Sequence, residues 1–304
     1  MEISQLRALR EVRDRGSIAA AAQALEVTPS SVSQQLTALQ RKAGTALTYK
    51  VGRRTALTPA GLALCAATVE VEIALAKADA AVDSFRENTD EPVTVAAFHS
   101  AALAYFGPLE RALHDGGGPA VHLFDQDVAQ KDFATLTADY DLVIAHRMAN
   151  STPWPVTVKV TELAYEPLDV AVSVRHRLAQ QKSVKPTDLL DERWISVHPG
   201  FPLAGAIEMI GTIAGEEVQV VHRINDFFVA ASLVDQGDCI SLMPRYLVNR
   251  RYFADLLLLP LREPRLWRRI DILARPEAME RAAVVQVINV LQQIMRELLD
   301  PQGV

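Results

Sequence analysis

Two sets of side chains in this chain have types and spacings that do chemistry. The first lies in the run TPSSVSQQLTALQRK, residues 28–42. At about 100° per residue, Ser30, Gln34, Thr37 and Arg41 share one stripe of a helix with Ser33 beside it, and Val32, Leu36, Leu39 and Ala43 share the opposite stripe. Short hydroxyls, an amide and a cation bond base edges and phosphates, whereas a helix facing only water would carry Glu and Lys pairs. Lys50, Arg53 and Arg54 around Gly52 add cations where a phosphate strand or minor groove would be met. The second set stands where extended runs end: His99 and Ser100, Asp125 to Asp127, His146 and Arg147, His198 to Pro202, Asn225 and Asp226, and Met243 with Pro244. In open α/β sheets ligands gather at such strand ends.

Each residue of the second set has two readings. Ser100, with the N–H groups of Ala101 and Ala102, forms an anion receptor at a helix N-terminus, or simply caps its own helix. Gly200 and Phe201 in HPGFP give close backbone approach and an apolar wall, or a stiff turn that also holds His198. His146 and Arg147 supply a cation across a cleft, or are a satisfied histidine and a surface arginine. Asp226 contacts a ligand, or caps the helix that FFVAASL begins; Asp127 belongs to the same group of strand-end acids. Catalysis is not expected: the chain has no G-x-S-x-G elbow, P-loop, strand-following G-x-G-x-x-G or H-E-x-x-H. Cys65 and Cys239 have no metal-ligand spacing, so neither metal nor cofactor is expected.

The elements that must position these groups follow from the punctuation. Ile3, Leu6, Leu9 and Val12 recur at helical spacing up to Gly16; Ser17 caps IAAAAQAL; Thr28 caps and Pro29 starts a third helix. Two helices, a short turn and a third with a hydroxyl-rich face predict a helix-turn-helix, and TALTYKVGRRTALTP predicts a basic hairpin beside it. Thr58 and Pro59 open a proline-free run to about residue 86, a helix of about 40 Å at 1.5 Å per residue. Leu62, Cys65, Val69, Ile73, Ala76 and Ala80 make a seam predicted to pair with a second copy, the alternative being the body of its own chain. Residues 88–92 read as a polar hinge. Beyond it, VTVAAF, VHLF and DLVIAH alternate with helices, the second of them over about residues 128–138; VTVKVTEL and LDVAVSV follow as two pieces. WISV, VQVVHRI and CISLMP make a second round. RRIDILA and a helix over about residues 277–299 return to the first sheet. Parallel sheets covered on both sides, in two lobes joined by crossing strands, are expected, with a cleft between them.

The charge agrees with this division. At 304 residues the chain has room for two or three domains, and its net charge of −6 is uneven. Residues 1–58 hold nine cations against four anions, a net of +5, leaving −11 for the rest. A basic head on an acidic body confines polyanion binding to the head. No targeting segment and no 18-residue apolar run is read, so a cytoplasmic protein with no membrane contact is expected.

The runs LRALREVRDRGSIAAAAQALEVTPSSVSQQLTALQRKAG and VGRRTALTPAG resemble those of LysR-type transcriptional regulators, and the resemblance covers essentially the whole chain. It implies an α+β multidomain fold: a winged helix-turn-helix (1–58), a dimerising linker helix (59–87), a hinge (88–92) and a two-lobed α/β effector domain similar to periplasmic binding proteins (93–304). Lobe I would comprise about 93–163 and 268–304, and lobe II about 164–267. The resemblance implies double-stranded promoter DNA as partner, contacted by Thr28, Pro29, Ser30, Ser33, Gln34, Arg53 and Arg54. It implies a small-molecule effector near Ser100, His146, the HPGFP loop and Asp226, and a homodimer through the linker helix that assembles further into a homotetramer. An anionic or zwitterionic effector is expected. An effector-independent regulator and a cytosolic small-molecule-binding protein are the alternatives. Gln40, Thr48 and Gln34 depart from the family's usual Glu, Phe and Arg. The first two predict a repacked wing; the third means base preference cannot be borrowed from relatives. With only Cys239 in the effector domain, an intrasubunit disulfide sensor is excluded.

Overall fold

The computed structural model describes residues 1–52, 54–83, 91–246 and 255–299. The head opens with α1 (Ile3–Arg15), which ends at Gly16 in the left-handed conformation. Ser17 Oγ accepts from Ala20 N and starts α2 (Ile18–Ala24), and Thr28 Oγ1 accepts from Ser31 N and starts α3 (Pro29–Ala43). Val32, Leu36 and Leu39 bury the inner stripe of α3 against Leu6, Leu9 and Val12. A two-stranded hairpin, β1 (Thr48–Val51) and β2 (Arg54–Leu57), turns at Gly52, whose φ is +61°. Gln40 Oε1 accepts from Leu47 N at 2.9 Å and Thr48 N at 3.2 Å, tying the hairpin to α3.

The linker helix α4 (Pro59–Asp83) follows; the predicted end near residue 86 and most of the hinge lie outside the described residues. Of its seam, Cys65 is buried, Val69, Ile73, Ala76 and Ala80 are half-buried and Leu62 is exposed. Cys65, Thr68 and Glu72 are buried within the chain, against α1 and the 3₁₀ turn Pro276–Glu280, because Glu72 meets Arg7 at 2.9 Å. Leu62, Val71 and Val82 stay exposed. By length and composition residues 59–82 are apolar enough to cross a membrane, with a mean hydropathy of 1.5. A buried, paired Glu72 inside that stretch and folded domains at both its ends fit a soluble linker better.

The body contains β3 (Val93–Ala97), α5 (His99–Asp115), β4 (Val121–Asp125), α6 (Phe133–Leu136), β5 (Leu142–Met148), β6 (Lys159–Ser173), β7 (Arg193–Ser196) and α7 (Ala204–Ala214). It continues through β8 (Gln219–Arg223), α8 (Phe227–Asp235), β9 (Ile240–Pro244), β10 (Leu256–Leu259), β11 (Trp267–Ala274) and α9 (Ala282–Leu299). The strands line up as β4-β3-β5-β11-β6-β9-β7-β8, with β10 also on β6. Pairing is parallel in β4-β3-β5 and β9-β7-β8 but antiparallel through β5-β11-β6-β9, so each sheet is mixed where the prediction was parallel. In lobe I the cause is β11, which enters from the far end of the chain against both neighbours; in lobe II it is β6, which crosses from lobe I and runs against β9 and β10.

The two predicted pieces around residues 156–174 are one strand, β6, of 15 residues running through both lobes. The helix expected over residues 128–138 shrinks to a 3₁₀ turn and the single turn α6, and the last helix starts at Ala282 after another 3₁₀ turn. Lobe I closes its core with Phe98, Tyr105, Phe133, Ile144, Ile272 and Leu291, and lobe II its own with Trp194, Ile207, Ile210 and Leu242.

Candidate functional site

On the head, the hydroxyls and amides of α3 face outward as the spacing required. Thr28, Pro29, Ser30, Gln34, Thr37 and Arg41 are exposed and Ser33 is half-buried, on the side opposite Val32, Leu36 and Leu39. Ser33 Oγ donates to Pro29 O at 2.9 Å and Thr37 Oγ1 to Ser33 O at 2.8 Å, which fixes both rotamers and leaves their acceptor lone pairs outward. Arg54 is exposed at the hairpin turn; Arg53 lies outside the described residues.

In the body, the structure gathers a cleft between the lobes from Phe98, His99, Ser100, Asp127 and His146 on one side and Phe201, Asn225 and Phe227 on the other. It is nearly full: the free volume is about 20 Å³. A larger concavity of about 730 Å³ lies instead on the outer face of lobe II, between α7 and β8. Buried polar groups converge at the small cleft, around Ser100 and His146. The lobes touch across it, Gln130 N donating to Gly200 O at 3.4 Å.

Behind the lining residues Ser100, Phe98 and Phe227 lies Arg268 on β11, fully buried and not expected from the sequence. Its Nη2 lies 2.7 Å from Glu166 Oε2 and its Nε donates to the same oxygen. Nη2 also reaches Ser100 Oγ at 3.4 Å, and the guanidinium lies 5.0 Å from the Phe98 ring centre and 6.0 Å from that of Phe227. Glu166 Oε1 accepts from Tyr246 N. Both partners sit in apolar-looking runs, LAYEPLDV and LWRRIDI, so a strand pattern hides them unless a charge inside a strand is taken as the signal. Around the cleft, three buried polar atoms have no hydrogen-bond partner: Arg268 Nη1, His146 Nδ1 and His99 Nδ1. The His146 ring is tilted against Phe98, centroids 4.2 Å apart, and burial, with Arg268 nearby, lowers its pKa well below the ordinary imidazole value.

The rim is acidic. His99 lies 3.3 Å from Asp125, 4.0 Å from Asp127 and 3.8 Å from Asp226, the last on the opposite lobe. Burial raises the pKa of Asp127, Asp226 adding to it, against His99 and Arg268.

Other expected residues have different places. Ala101 N and Ala102 N both donate to Phe98 O, because α5 starts at His99; they are spent on the helix. Ser100 does not cap α5, whose N-cap is Phe98. Arg147 alternates away from the cleft and donates to Ser151 O at 3.2 Å, 3.8 Å from Asp271. His198 is exposed, its N–H held by Asn225, and Gly200 has φ +88°, so the turn reading and the wall reading of HPGFP both apply. Asp226 caps α8, accepting from Phe228 N and Val229 N, while its other oxygen faces His99.

Residues 3–62 match the family model described as "Bacterial regulatory helix-turn-helix protein, lysR family", and residues 86–296 match "LysR substrate binding domain". The chain is 24% identical over 301 residues to a probable nitrogen assimilation transcriptional activator of Synechococcus elongatus, covering 98% of this chain and 96% of that one. Among solved structures it resembles a full-length OxyR variant of Pseudomonas aeruginosa, with a TM-score of 0.66, 16% identity, and 97% and 95% of the two chains covered. An OxyR mutant of Corynebacterium glutamicum gives a TM-score of 0.58 at 19% identity, with 99% and 93% covered. At such identities the structural likeness speaks for the fold.

Proposed function

The chain belongs to the LysR family of bacterial helix-turn-helix transcriptional regulators, and from that premise we propose that it reads promoter DNA with α3 and the wing and changes that reading when a small effector enters the interlobe cleft. The observation that carries the DNA half is the division of α3, with Ser30, Gln34 and Thr37 exposed and Val32, Leu36 and Leu39 buried. Arg54, with Arg53 beside it, supplies phosphate contacts, and Ser33 and Thr28 complete the reading face. The domain division is that of the sequence: head 1–58, linker 59–87, hinge 88–92, effector domain 93–304. The protein works in the cytoplasm as a homodimer or higher homo-oligomer, and it is not an enzyme: His99 faces carboxylates and Ser100 faces Arg268.

The effector is anionic or zwitterionic, and the cleft's charges favour the zwitterion. Arg268 is already neutralised by Glu166, yet its Nη1 has no hydrogen-bond partner and its Nη2 holds the Ser100 hydroxyl only at 3.4 Å, which suits a ligand carboxylate at Ser100. Asp127 and Asp226, on opposite lobes, suit an ammonium. An effector-independent regulator is favoured by one specific fact, the cleft's free volume of about 20 Å³.

A thermal-shift screen of the full chain with α-amino acids, short carboxylates and amines decides between these, since a ligand of the folded state raises the melting temperature by mass action. A rise with an α-amino acid, lost in Ser100→Ala, is expected, together with a footprint that the same compound alters. No rise with any class and an unchanging footprint would establish the effector-independent reading. On DNA, Arg54→Ala is expected to weaken binding to all sequences and flatten its salt dependence, and Gln34→Ala to change sequence preference.

A further inference from the structure

The reading head does not hang free of its sensor. Arg10, buried on α1, holds Glu277 by two bonds, Nη1 to Oε1 at 2.7 Å and Nη2 to Oε2 at 3.1 Å. Arg275 Nη2 reaches back from lobe I to Glu11 at 2.9 Å and Asp14 at 2.8 Å. Arg15 spans Glu11, at 2.7 Å within α1, and Asp139 and Ala138 O of lobe I, at 2.7 and 3.1 Å. Arg7 ties the same helix to Glu72 of the linker. A bidentate arginine with 4% of its side chain exposed differs in kind from a surface ion pair, because water competes little for it and losing one partner strands a charge. All these contacts use the side of α1 away from DNA, since Ser30, Gln34, Thr37 and Arg41 remain exposed on α3.

The lobe I end of this contact is the direct continuation of the strand that reaches the cleft. Arg268 stands at one end of β11 and Arg275 immediately follows the other, roughly 23 Å away at about 3.3 Å per residue. β11 is paired on both edges, with β5 and with β6, so it cannot bend independently of lobe I.

We propose that α1 and lobe I form one mechanical body, with Arg10, Arg15 and Arg275 as the residues that position the reading head on the sensor. Lobe II is then the part that moves when the cleft changes, and the head follows lobe I rather than swivelling at the hinge. The inference stands whether or not an effector occupies the cleft.

The test measures the distance between spin labels on exposed Gln23 of α2 and exposed His114 of α5, introduced as Gln23→Cys and His114→Cys in the full chain; Cys65 and Cys239 are buried. Labelled protein is diluted with unlabelled copies so that only distances within one chain are read. A single narrow distance is expected, lost as a sharp peak in Arg275→Gln/Glu277→Gln and regained in the charge exchange Arg10→Glu/Glu277→Arg. Retained circular dichroism and retained binding to a random-sequence DNA duplex show that the double variant keeps a folded head, and the partly exposed positions of Arg275 and Glu277 make that the expected result. A broad distance in the parent protein, a peak that survives the double substitution, or a peak that disappears on dilution would each overturn the proposal.

Discussion

His146 shows how one residue carries a measurable signature. Its imidazole is buried against Phe98 and Phe133 and kept neutral, so its pKa lies well below the ordinary 6.5. The unfolded chain takes up a proton near 6.5 that the folded chain refuses, so the stabilising difference is fully present above that pH and is lost as the pH falls through it. Urea unfolding at about pH 7.5 and about pH 5.5 is expected to show a fall in stability that His146→Gln largely removes; an equal fall in the variant would assign the effect elsewhere. Asp127 works with the opposite sign, its raised pKa lowering stability as pH rises through the carboxylate range, which separates the two. At this scale the sequence named His146, Ser100, Asp127 and Asp226 from their places after strands, and the cleft gathers them. It missed Arg268 and Glu166, because a strand-end rule looks past charges set inside a strand, and their meeting depends on a β6–β11 register that spans about 100 residues of chain.

At the scale of elements, caps and periods were legible: Thr28, Ser17 and Gly16 bound their helices where the residue types required. What the pattern could not show was which neighbour an apolar stripe meets. The α4 seam demonstrates this, since Cys65 is buried within the same chain while Leu62, one turn away on the same seam, is exposed. The junction of wing and linker is tighter than any pattern suggests: a Cβ at Gly61 would lie 2.1 Å from Leu47 O, a backbone atom that cannot turn aside. Gly61→Ala is therefore expected to destabilise the head by about 1–3 kcal/mol, the usual cost of forcing atoms into a packed site. A melt of the variant within error of the parent would show that β1 shifts freely, and would weaken the view that wing and linker are rigidly joined.

For the whole molecule, the exposed apolar side chains of α4 define what a second copy would cover. Leu62, Val71 and Val82 are about half exposed or a little less, and they lie on a helix already anchored to α1 by Arg7 and Glu72. Val71→Glu is expected to shift the sedimenting species toward monomer, by placing a charge where apolar area is removed from water. Unchanged sedimentation in this variant and in Val82→Glu would move the main contact off the linker. The division into head, linker helix and two-lobed domain was legible because charge, proline-free length and strand alternation differ between the parts. The docking of head on lobe I was not, because Arg10 and Glu277 are 267 residues apart and each reads as an ordinary solvated charge.

The single strand β6 also limits how this protein can change over evolutionary time. Loops accept insertions cheaply, but β6 alternates its side chains between two faces through both lobes at once. One residue gained or lost near its middle would turn Glu166 away from Arg268 and exchange inside for outside in half of the molecule. Variation in length should therefore collect in the connections that flank β6 and be absent from residues 159–173, so that effector preference diversifies by substitution along a strand of fixed length.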